Sequence, residues 1–100
     1  MIDNHETYGI KVVNLSLSDG GEYNNAAASP CSGTNTGNAI ADLKTLGISV
    51  YTASGNEGHD SGISFPACVP DAISVGGVYD ASFPTVNWSA PSGTAVCTDT

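Results

Sequence analysis

Hydrolysis by a serine nucleophile needs a histidine to take its proton and a carboxylate to orient the ring, and this sequence offers scattered pieces of that set. His59 stands beside Asp60, with Ser54 and Ser64 each five residues away; Asp3 and His5 form a second pair. Gly62-Ile63-Ser64-Phe65-Pro66 comes nearest to the Gly-x-Ser-x-Gly elbow that exposes a nucleophile, but it lacks the second glycine. A weak, ester-cleaving activity would have to be improvised from Ser64 or Ser54 with His59. The cysteines, Cys31, Cys68 and Cys97, are odd in number and contain no C-x-x-C spacing, so neither a zinc nor a thioredoxin-type site is expected. Two outcomes remain open: one internal disulfide with a thiol left over, or three reduced cysteines. No metal site is assigned, and Asp71, Asp80 and Asp99 read as solvated surface carboxylates. Phosphate-binding signatures are missing as well, since neither Gly-x-Gly-x-x-Gly nor a Gly-Lys-Ser/Thr loop occurs.

Charge narrows the field further. Two Lys/Arg against ten Asp/Glu give a net charge of −8 in 100 residues, which excludes a nucleic-acid partner because phosphate binding needs a cationic face. An anionic membrane surface is excluded for the same reason, and no run approaches the ~20 apolar residues of a membrane span. Apolar residues make up 40% of the chain, enough for one small domain whose core is marginal unless something staples or covers it. The opening Met1-Ile2-Asp3-Asn4-His5-Glu6 is polar and unlike a signal peptide. An acidic, Lys-poor, Asn/Ser/Thr/Gly-rich composition fits a secreted protein, with any export signal lying outside these residues.

The elements that must position these groups are few. Residues 2–8 read as the tail of a helix ending at Gly9. Residues 10–17, from Ile10-Lys11-Val12 to Leu17, read as a strand covered on both faces. A polar loop from Ser18 to Gly33 leads to a helix over 35–46, with Ala39, Ile40, Leu43 and Leu46 on its apolar stripe. Gly47 closes that helix. Residues 48–53 and 72–78 are the second and third strands, and from Tyr79 onward turn chemistry prevails. Strand, helix, strand is a parallel crossover, so the fold class is α/β: part of a three-layer domain with parallel strands, in a single unit spanning residues 1–100.

Two segments carry a family resemblance. Val12-Val13-Asn14-Leu15-Ser16-Leu17-Ser18 is similar to the strand ending in Ser-Leu-Gly of subtilisin-like serine proteases, the subtilases. Gly47-Ile48-Ser49-Val50-Tyr51-Thr52-Ala53-Ser54-Gly55-Asn56-Glu57-Gly58 resembles their Gly-hydrophobic-Val-Val-Ala-Ala-Ala-Gly-Asn-Glu-Gly run. Phe65-Pro66-Ala67 followed by Ala72-Ile73-Ser74-Val75-Gly76-Gly77-Val78-Tyr79-Asp80 resembles the next family segment, in the same order and at similar spacing.

The resemblance implies that the parent function is peptide-bond hydrolysis by a secreted enzyme acting on peptide or protein substrates. It puts Asn56 in the role of oxyanion donor, a contribution of about 10²–10³ in turnover, the magnitude coming from a member of the same family. It makes Ser16-Leu17-Ser18 and Ala53-Ser54-Gly55 the walls of the specificity pocket. Ser18 replaces the usual glycine, and Ser64 stands at a floor position often held by glycine; both narrow the slot. A cis Phe65–Pro66 bond is implied too. The family's Asp and His motifs precede the matched region and its Gly-Thr-Ser-Met-Ala follows it; none occurs here, and Asp3 and His5 fall at the end of a surface helix. No cofactor is expected for this chain. Calcium, which the longer family member holds with carbonyls near Val69-Pro70-Asp71-Ala72, would find only part of its six to eight oxygens.

Three strands with one helix cannot cover both faces of a parallel sheet. The strands at Val12-Val13 and Ile73-Val75 should therefore leave open edges and a bare apolar face, which recruit another chain and make a homo-oligomer. A non-catalytic oligomerising or interaction module is thus the alternative to the protease segment.

Overall fold

A computed structural model describes residues 2–78, 86–90 and 93–97. A short 3₁₀ turn, Ile2–Asn4, runs into α1 (His5–Tyr8), which Gly9 ends in a left-handed conformation. Then come β1 (Val12–Leu15), α2 (Asn35–Thr45), β2 (Ser49–Ala53) and β3 (Ile73–Val75), followed by β4 (Val86–Ala90) and β5 (Gly93–Cys97). The first three strands form a parallel sheet in the order β1-β2-β3, with Val13 opposite Val50 and Tyr51 opposite Ile73. This is the expected α/β arrangement, with each strand a little shorter than its apolar run.

Helix α2 forms where its stripe and its caps agree. Thr34 is the N-cap: its Oγ1 accepts from the Gly37 N–H at 3.2 Å and donates to the Pro30 carbonyl at 3.1 Å. Cutting this side chain back in a Thr34→Ala variant is expected to cost about 1 kcal/mol of stability, read from the shift of a urea midpoint. Ile40 and Leu43 are buried against Val13, Ile48, Val50 and Val69 to make the core. Leu46, expected on the stripe, is 42% exposed. It caps the helix with non-helical backbone, so its side chain leaves the helical path before reaching the core. Gly47 follows at φ +77°, where its N–H satisfies the Lys44 carbonyl.

Two expectations need correction. β1 is covered on one face only: Val13 is buried, whereas Val12 is 58% exposed and Asn14 is exposed. The reason is that α2 packs on one side of the sheet and none of the other described elements packs on the far side. The stretch after Tyr79, read as turns, contains an antiparallel hairpin in which Val86 pairs with Cys97 and Trp88 with Ala95. Each five-residue strand is too short for a periodicity to stand out, and cross-strand pairing supplies what the local pattern does not. Asp80 and Asp99 lie outside the described residues.

Candidate functional site

Parallel strands bring their carboxyl ends to one rim, and in open α/β sheets that rim is where ligands sit. Leu15 pairs with Thr52, so Ser16-Leu17-Ser18 and Ala53-Ser54-Gly55 leave adjacent strands side by side. Ser16 and Leu17 are exposed, Ser18 is half-buried, and Ala53, Ser54 and Gly55 are half-buried. The Asn14 amide donates to Ser16 Oγ at 3.1 Å. Ser54 is fixed on both sides, its N–H donating to Val75 O and its carbonyl accepting from Ser64 N–H, each at 3.0 Å. Asn56 follows, exposed, with its backbone N–H donating to Glu57 Oε2 at 2.8 Å.

Ser64 is brought to this rim but is wholly buried at 0% exposure, with its Oγ 3.4 Å from Glu57 Oε2. It presses against Gly55 from below. A Cβ on Gly55, whose φ is +114°, would lie 2.5 Å from Ser64 Oγ and 2.8 Å from Glu57 Oε2. A serine–glutamate pair is thus packed against a glycine at this rim. The Phe65–Pro66 bond just beyond is cis, and so is Ser29–Pro30, for which the sequence carried no expectation.

His59 is held elsewhere. Its Nε2 donates to the Gly20 carbonyl at 3.1 Å, and its Nδ1 lies 3.8 Å from Glu22 Oε2. Its contacts are with Gly20 and Glu22, whereas Ser64 faces Glu57, so the described contacts do not form a serine–histidine pair. Near Asp71, the carboxylate pairs with Lys44 at 2.6 Å and the Val69 carbonyl accepts from Ala72 N–H. Among the described residues no three His, Cys, Asp or Glu side chains converge.

What sequence reasoning missed is the strap that braces the rim. The loop after β1 folds across residues 57–68. Tyr23 and Ile63 exchange two backbone hydrogen bonds, Asp19 N–H donates to Phe65 O, and Glu22 Oε1 accepts from Ser61 N–H at 2.9 Å. A Cys31–Cys68 disulfide closes the far end. It settles the cysteine alternatives in favour of one internal bridge. These partners lie 37–46 residues apart, and no local pattern announces them.

Asp19 is the knot of this strap. Burial pushes its carboxyl up, but hydrogen bonds from Tyr23 Oη and from the Gly21 and Phe65 N–H groups outweigh it and hold the group below its ordinary 3.8. The bond to Asp19 in turn raises the Tyr23 phenol above 10.0, with burial and the nearby charge adding to it. A lowered carboxylate stabilises the fold above its unfolded value and loses that contribution as pH falls through its folded value. A raised phenol contributes below its unfolded value and loses that as pH rises through the folded one. Strap stability should therefore be flat between these limits and fall on both sides. Hydrogen exchange at Gly21 and Phe65 reads the effect, and an Asp19→Asn variant should lose the acid limb.

No curated protein and no solved structure matches the chain. A family model does: the one described as Subtilase family matches residues 1–97. The match takes in both rim segments, the helix between them and the strand that follows, and on that evidence the chain belongs to the subtilase family.

Proposed function

We propose that the chain is the oxyanion-donor and substrate-cleft segment of a secreted subtilisin-like endopeptidase, and that alone it holds peptides without cleaving them by a triad. One observation carries this reading: Asn56 stands exposed directly after Gly55 at the carboxyl end of β2, beside the exposed end of β1. A donor fixed there meets the charge that grows on a substrate carbonyl oxygen. Ser16, Leu17, Ser18, Ala53, Ser54 and Gly55 line the path of the substrate, and Ser64 closes the slot from beneath. A closed floor suits small side chains. The disulfide supports an oxidising, extracellular setting. Intact-mass analysis after treatment with a fluorophosphonate, which labels activated serines, should show no adduct. A single adduct abolished by prior heating would sink the reading and name a working nucleophile.

A second reading, self-association, rests on the bare face of the sheet. Val12, Tyr51, Ile73 and Val75 lie on the side away from α2 and are 58%, 37%, 43% and 50% exposed. Among the described strands, β1 and β3 stand at the two edges of the sheet. Sedimentation should report a dimer or larger species, and Tyr51→Asp in the middle of the face should shift it toward monomer. A cooperative melt from a species that sediments as a monomer would exclude this reading.

A further inference from the structure

Successive side chains of a strand point to opposite faces, and β1 divides its residues accordingly. Val13 is buried and Leu15 packs against the core under α2, whereas Val12, Asn14 and Ser16 are exposed. Asn14 and Ser16 stand together on the open side of the sheet, where the Asn14 Nδ2 amide donates to Ser16 Oγ at 3.1 Å. Among the described elements none packs over them.

Asn14-Leu15-Ser16 is also an Asn-x-Ser sequence without proline in the middle, the pattern at which exported proteins receive an oligosaccharide. The amide nitrogen is the acceptor, and the hydroxyl two residues on is what the transferring enzyme reads. The product needs open solvent above the nitrogen. All three requirements meet here, with only Leu15 turned inward. The Cys31–Cys68 bridge fits passage through the oxidising compartment in which this transfer takes place.

We infer that Asn14 is an N-glycosylation site. In the step, Asn14 Nδ2 attacks the anomeric carbon of an oligosaccharide carried on a polyprenyl pyrophosphate. A nitrogen–carbon bond forms as the bond from that carbon to the pyrophosphate oxygen breaks. The polyprenyl pyrophosphate leaves with the electron pair, the amide nitrogen gives up a proton to solvent, and nothing is oxidised or reduced.

Its position gives the glycan a task. Asn14 pairs in register with Tyr51 and lies two residues from Val12, so both share its face, roughly 5 Å across the sheet and 7 Å along it. Val12 and Tyr51 are exposed there. A sugar ring can lay its C–H face on an aromatic ring while its hydroxyls stay in water. A glycan rooted at Asn14 therefore covers the β1–β2 part of the bare face and keeps a second copy away. The shielding rests on the self-association reading above; the attachment does not.

The test begins with translation of the full chain behind a cleavable export signal in the presence of microsomes, where attachment is read before folding is required. A glycosylated product is expected, and peptide N-glycosidase should remove the sugar and leave an aspartate at position 14 for peptide mapping to find. Ser16→Ala should abolish the modification at Asn14 and Ser16→Thr should keep it. Asn87→Gln, in the other such sequence, Asn87-Trp88-Ser89, should also keep it. An unmodified Asn14, or a glycan at Asn87 alone, overturns the site. Secretion from a eukaryotic host then reads the folded protein. The glycosylated chain should retain the Cys31–Cys68 bridge and sediment as a monomer, whereas the Asn14→Gln chain should sediment as a dimer or larger. Loss of the bridge in the glycosylated chain overturns the site in the folded protein. Dimers in both forms overturn the shielding and leave the site standing; monomers in both overturn self-association and leave the site standing.

Discussion

A Gly55→Ala variant is expected to lose about 2–6 kcal/mol of stability, a large share of the 5–15 kcal/mol that holds a domain of this size together. Two independent costs combine. At φ +114° an L side chain is strained, which costs about 1–3 kcal/mol. The new methyl would also sit 2.5 Å from Ser64 Oγ and 3.2 Å from its Cβ. Ser64 is fully buried and cannot retreat, so overpacking adds about 1–3 kcal/mol. Glu57, 2.8 Å away, can swing aside, but only by giving up its bond to the Asn56 N–H. The two costs separate in a double-mutant cycle. Ser64→Gly in the Gly55→Ala background should restore the steric share and leave the backbone share, as read from urea midpoints. Full stability in the single variant would mean that Gly55 does not hold this rim closed.

Removing the Cys31–Cys68 bond should cost about as much. The bridge joins residues separated by 37 positions, and closing a loop of that length in the unfolded chain is worth about 4 kcal/mol on the entropy model. For a domain of this size that corresponds to a drop of roughly 15–30 °C in Tm. A comparison of melts with and without a thiol reductant, repeated on a Cys31→Ala/Cys68→Ala variant, measures it. The loss should begin in the strap: exchange at Tyr23 and Ile63 should speed up before exchange at Val13 and Val50. The reason is that the strap rests on a few backbone bonds and exposed carboxylates, whereas the sheet rests on a packed core. If oxidised and reduced chains melt together, the strap is held by its hydrogen bonds alone.

Both effects fall on the same rim, which explains how so small a domain keeps it in place. The sheet supplies the strand ends, but among the described elements α2 covers only one side of it, with Val13, Ile40, Leu43, Ile48, Val50 and Val69 forming the cluster between them. The disulfide and the Asp19 knot brace the rim from the loop side.

Much of this was legible in the residues themselves. β1, α2, β2 and β3 all appear where their apolar patterns predicted them, because a buried strand needs a continuous apolar run and a helix on a core needs apolar residues at 3.6-residue spacing. Gly9 and Gly47 marked helix ends for the same local reason. Gly55-Asn56-Glu57-Gly58 pointed to the rim because order and spacing survive in sequence. What no window of residues contained was the company each group keeps in space. That His59 turns to Gly20 and Glu22, that Ser64 is buried beneath Gly55, and that Cys31 finds Cys68 depend on contacts between loops far apart in the chain. The apolar run of β1 read as covered on both faces while the count of elements, three strands and one helix, left a face bare; a strand's own residues do not say which holds, and the packing of α2 on one side decides it. Local chemistry determined the elements, and the family resemblance supplied the candidate donor; the tertiary structure decided which side chains reach the strand-end rim, and which are committed to bracing it.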